Sequence, residues 1–167
     1  MAILNRNHLI PLFLLGFLFL FGNYPANAQQ VTKAEFMENP FPERISPEKL
    51  MQQYWWRVRE TVEAVKSKHG GHMDTIRTVH IGGSEIAFYE GRNNTFLLSG
   101  TIRNRRISMR SGIRIWMPAD GFFNRFKDIA DPDKSVVTIK DKEGFYRYTF
   151  SFKWNRLRKV EFRVYPD

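Results

Sequence analysis

The run His69-Gly-Gly-His72 sets two imidazoles three residues apart, with Asp74 just beyond and His80 further along. Imidazoles and a carboxylate are ordinary ligands for a divalent metal. Two intervening glycines give such a pair no fixed geometry, however, and a polar turn ending a helix reads the same residues without a metal. Glu85 and Glu90 flank "IAFY", and either could join His80 as an acid–base pair in a cleft. Asp128, Asp131 and Asp133 crowd one stretch. Two working carboxyls need a fixed separation across a bond, which spacing alone does not set. Asp131-Pro132-Asp133 reads as a turn and lacks the twelve-residue calcium pattern.

Other catalytic signatures are missing. There is no Gly-x-Ser-x-Gly elbow, phosphate loop or dinucleotide fingerprint. Without cysteine there is no thiol nucleophile and no Cys-based zinc site. No metal and no cofactor are expected. The densest charge is basic: "RNRRISMRSGIR", residues 103–114, carries five arginines. Such a run is either a solvated face or an anion-binding patch.

The start of the chain sets the compartment in which these groups are read. "MAILNRNHL" carries Arg6 and no acid, "LIPLFLLGFLFLF" is unbroken apolar, and "ANAQQ" places small residues around Asn27. These are the marks of a cleaved secretory signal, with the cut expected after Ala28. The apolar run falls short of the roughly 20 residues a comfortable span needs, so no membrane span is expected afterwards. An exported chain without cysteine has no disulfide framework and must rely on a packed core. Losing Arg6 takes the formal charge from +9 to +8. A basic exported protein is expected to meet acidic polymers, anionic headgroups or acidic protein surfaces rather than nucleic acid. Asn93-Asn94-Thr95 fits the glycosylation pattern but chiefly marks a surface turn.

Residues 29–45 form a Pro-containing leader, with a helical turn near Ala34–Glu38 and Phe36, Phe41 and Ile45 tucked inward. Residues 46–167 are expected to be one α+β domain. Ser46 and Pro47 signal a helix start. Leu50, Tyr54, Val58, Val62 and Val65 then fall on one stripe, predicting an amphipathic helix of about six turns ending at Gly70-Gly71. Strands follow in "TIRTVHIGG", "SEIAFYEG" and "TFLLSGTIR", with a hairpin turn at Gly82-Gly83. A short strand through Ile113 and Ile115, a short helix carrying Phe122, Phe123 and Phe126, and three closing strands complete the chain, with Asn155-Arg156 as the last turn. The fold class is therefore α+β: one long and one short helix on one face of a mainly antiparallel sheet of five to six strands.

"YRYTFSFKW" alternates Tyr146, Tyr148, Phe150, Phe152 and Trp154 with Arg147, Thr149, Ser151 and Lys153. Period two sends rings and cations to opposite faces. Each large apolar side chain gains about 1.5 to 3 kcal/mol on burial, so the rings belong to the core. A base-stacking platform would need rings and cations on the same exposed side.

Gly112, Ile113, Ile115, Phe123, Phe126 and the Tyr148–Val164 hairpin give a layout that resembles the group of small exported α+β domains containing β-lactamase-inhibitor protein and the assembly lipoprotein BamE. Trp116 stands where that pattern has glycine, Pro118 occupies the usual cap neighbourhood, and no lipidation cysteine is present. The resemblance implies a non-catalytic interaction module and assigns no residue. The expected function is a secreted or periplasmic binding module without catalysis. It would contact an acidic envelope polymer or acidic protein through a basic sheet face of Arg147, Lys153, Lys159 and Arg163, joined by Arg103, Arg105 and Arg106. The alternative is a hydrolase-like site of His80 with Glu85 or Glu90 beside the long helix.

Overall fold

The structure is a computed structural model and describes residues 30–67, 71–129 and 135–165. The predicted signal segment with its cut after Ala28, His69, Asp131 and Asp133 lie outside the described residues.

Thr32 caps helix α1 (Lys33–Glu38) in a reciprocal capping box with Glu35. The helix is short, but it buries Phe36 completely. Ser46 caps α2 (Pro47–Gln53), with Pro47 at its start, where a missing N–H costs nothing. There the expected long helix ends. Tyr54 closes α2 and turns its hydroxyl to the Arg106 carbonyl at 3.1 Å. Residues Val58–Lys66 are strand β1, not four further helical turns. Beyond the buried Leu50 and Tyr54, the stripe that suggested a helix opens to solvent: Val62 is 63% exposed. Val58, Thr61, Val62 and Val65 are β-branched and favour extended backbone. Pairing with β2 (Met73–Ile81), from Val58 opposite Ile81 to Lys66 opposite Met73, satisfies the backbone groups of both strands.

The remaining elements are β3 (Ser84–Glu90), β4 (Thr95–Ile102), α3 (Ala119–Phe123), β5 (Val136–Lys140), β6 (Tyr146–Lys153) and β7 (Arg156–Val164). The described strands form one seven-stranded antiparallel sheet in the order β1-β2-β3-β4-β7-β6-β5. The α+β expectation of five to six strands under one long helix is thus corrected to a sheet protein with short helices. Gly82 and Gly83 make the predicted two-residue turn, both at positive φ. Ile113 and Ile115 are buried, but in an irregular connection with a 3-10 turn at Arg110–Gly112 rather than in a strand.

One face of the sheet carries the core. Val79, Ile81, Ile86, Phe88, Ile102, Tyr148, Phe150, Val160 and Phe162 are all buried there. Phe36 stands edge-on to Tyr148 at 5.4 Å, and Phe122 lies 4.7 Å from Phe150. Gly100 lets the Phe162 ring lie flush on β4, because a Cβ there would sit 2.5 Å from that ring. Tyr148 and Phe150 therefore occupy the core as their alternation implied, under α1 and α3 instead of a long helix. Trp154 does not follow them. With Asn155 it forms the final turn, both at positive φ, and it is 75% exposed. The turn falls one residue earlier than the predicted Asn155-Arg156.

Candidate anion-binding site

The seven cations singled out in the sequence divide between two places. Arg147 and Arg163 face each other across β6 and β7 on the uncovered side of the sheet. They line a trough of about 540 Å³ with Thr78, Thr101, Thr149, Glu85 and Glu161. Lys159 lies on the same side, paired with Glu161 at 2.8 Å. Two carboxylates among these cations leave this face of mixed charge rather than uniformly basic.

Arg103, Arg105, Arg106 and Lys153 lie instead at one end of the sheet, where β4 and β6 finish and β7 begins. Arg103 follows β4, its amide held by the Ser84 hydroxyl at 2.8 Å. Arg105 and Arg106 enter a cleft of about 590 Å³ that also takes in Arg114, Arg125 and Arg156. Three separate segments thus bring five guanidiniums together: the β4–α3 connection, the end of α3 and the start of β7. Trp116, Met117 and Pro118 supply the apolar part of the lining. Among the described residues no carboxylate lines this cleft, and none of the five arginines sits in an ion pair. The Nε of Arg125 is buried without an acceptor. A buried donor left unbonded costs about 1 to 3 kcal/mol, which an incoming anion would offset.

Trp116 forms the lip. Its φ of 75° lies in the left-handed region, and its amide donates to the Leu157 carbonyl at 2.7 Å. Arg156 donates to the Trp116 carbonyl at 2.9 Å, tying β7 to the same residue. Arg158 lies 3.6 Å over the Trp116 ring and 4.8 Å over Trp154, while Arg106 lies 4.6 Å over Trp56. Lys153 lies over the other residue of this rim, 4.6 Å from Trp154. Trp116 thus lines the cleft, and cation stacks through Arg106 and Arg158 connect it with exposed Trp56 and Trp154.

Of the predicted catalytic groups, His80 and Glu85 come together and Glu90 does not join them. His80 and Glu85 are cross-strand partners on the uncovered face, where the His80 Nε2 lies 3.1 Å from the Thr61 hydroxyl. Glu90 lies on the covered face, bonded to Arg77 at 2.8 Å. Arg77 is ringed by Glu48, Glu60 and Glu90. Burial alone would pull its guanidinium down, but these bonds, led by Glu60, outweigh it and hold it above its usual value. His72 lies 3.1 Å from Asp74 Oδ1, and the Tyr89 hydroxyl donates to Asp74 Oδ2. Chiefly through that Tyr89 bond, the Asp74 carboxyl is held below the ordinary aspartate range. His80 lies further along β2 and does not join it; among the described residues no three metal-ligating side chains converge.

The cluster at residues 103–114 was visible in the sequence, but Arg125 and Arg156 were not among the expected site residues. They come from remote elements, and no local spacing marks them. Trp116 was noticed only as a departure from glycine, which is the one sequence signal that its backbone is unusual. No family model, curated protein or solved structure matches this chain.

Proposed function

We propose that the protein is a non-catalytic binding module of the cell envelope that holds a polyanion, an acidic polymer or acidic protein surface, in the arginine cleft. The carrying observation is five guanidiniums without a carboxylate, one of them with a buried Nε lacking an acceptor. Guanidiniums offer forked donors that suit carboxylate, phosphate or sulfate oxygens, and a partner with several anionic groups satisfies several forks at once. The alternative hydrolase-like pair, His80 beside Glu85, lies on an open sheet face with the His80 Nε2 against the Thr61 hydroxyl, which favours binding over hydrolysis. Export by the amino-terminal apolar segment belongs to the same proposal and rests on the sequence pattern.

The test is titration of the purified chain with polygalacturonate at low and at moderate salt. Reversing Arg105, Arg106 and Arg114 to Glu should weaken binding by about a hundredfold, each close charge contributing about fivefold. Reversing Arg147 and Arg163 on the uncovered face should change it less than about threefold. The opposite ranking would move the site to the sheet face, and indifference to both variants would refute the proposal.

A further inference from the structure

The three connected indoles demand their own account, because charge pairing with a polyanion does not require exposed tryptophan. Trp56, Trp116 and Trp154 are 50%, 49% and 75% exposed. They come from three distant parts of the chain: the α2–β1 turn, the β4–α3 connection and the β6–β7 turn. Trp154 occupies a two-residue turn at φ 56°, and Trp116 a left-handed position at φ 75°, where glycine or asparagine would be easier. Two bulky rings are thus kept outside the core at strained positions. Cation stacks connect them into one surface. Arg106 joins Trp56 to the cleft, Trp116 lines the cleft itself, and Arg158 spans Trp116 and Trp154. Trp55, next in sequence to Trp56, is 77% exposed.

Tryptophan paired with arginine at a surface matches the chemistry of one boundary in particular. The indole body is apolar and its N–H is polar, so the ring settles at headgroup level in a bilayer. Arginine and lysine beside it meet lipid phosphates, each contributing about a fivefold gain in binding to an anionic leaflet. Apolar insertion and basic residues together give the two signals that reversible membrane attachment requires.

We infer that this end of the sheet seats on an anionic phospholipid surface, with Trp56, Trp116 and Trp154 at headgroup depth and the cleft arginines on lipid phosphates. This goes beyond polyanion binding, since it requires the rings as well as the charges. The occupant is a lipid leaflet rather than a second protein because the rim combines uncompensated positive charge with separated single rings. A protein-docking core is depleted in charge and contiguous.

Tryptophan fluorescence offers a selective readout. The chain's four tryptophans are residues 55, 56, 116 and 154, so none lies in the apolar amino-terminal segment, and quenching reports on this end alone. The purified chain is mixed with vesicles of phosphatidylcholine, with or without a third of phosphatidylglycerol, carrying brominated acyl chains. Quenching and a blue shift are expected with phosphatidylglycerol, little of either with phosphatidylcholine alone, and progressive loss as salt is raised. Replacing Trp56 and Trp154, which lie outside the cleft lining, by Ala should weaken this association about tenfold while leaving polygalacturonate binding within threefold. Reversing Arg105, Arg106 and Arg114 should weaken both by about a hundredfold. Vesicle association without quenching, or equal quenching on neutral lipid, would overturn the inference. Polygalacturonate binding with no response to vesicles would sink it while sparing the polyanion proposal, and failure with both probes would remove the two together.

Discussion

Trp116 holds a backbone conformation that costs a side-chain-bearing residue about 1–2 kcal/mol. It stays there because its amide and carbonyl are bonded to Leu157 and Arg156. Strain of this kind persists where surrounding structure over-determines it, and it collects at functional positions. The strain has a measurable sign. Trp116→Gly should be about 1 kcal/mol more stable to denaturant than Trp116→Ala, reversing the usual order of these residues. An alanine variant equal to or firmer than the glycine variant would show that the position is relaxed. Both variants lose the ring, so the comparison isolates the backbone from the indole. The tryptophan is therefore best read as retained for its surface role, not for the stability of the turn.

At the scale of elements, β1 shows how far local reading reaches. Ser46-Pro47 marked the start of α2, and Gly82-Gly83 marked a hairpin, because caps and tight turns depend on residues within one turn of backbone. The extent of α2 was not legible. Val58 and Val62 satisfy helical spacing, yet they also stand on one side of a strand, and only pairing with distant β2 decides between the two. The candidate site divided in the same way. Arg105 and Arg106 showed as a cluster in sequence, whereas Arg125 and Arg156 join them only through the fold. Replacing exposed Val62 by Thr should change stability by less than about 0.5 kcal/mol. The same replacement at buried Val79 should cost about 1–3 kcal/mol by stranding a hydroxyl in the core. Equal costs at the two positions, measured by urea denaturation, would contradict an exposed edge strand and favour a buried stripe.

For the whole molecule, the decisive connection runs between its first and last described segments. The Val31 amide donates to the Arg125 carbonyl at 2.8 Å, and Phe36 lies among Phe126, Tyr148 and Phe150. The Pro-containing leader, expected to carry a helical turn with Phe36 tucked inward, is a wall of the core. Phe36→Ala should cost about 3–5 kcal/mol, comparable to truncating a central strand residue. Near-native stability of that variant in a denaturant titration would show that α1 merely rests on the sheet. Closure also depends on β7, which enters between β4 and β6 and sets Arg163 opposite Ser99 of β4. A nascent polypeptide of this design cannot complete its interior while the closing strands are still being synthesised. Its early portion consequently stays open and unlocked until the last strand of the chain has been made.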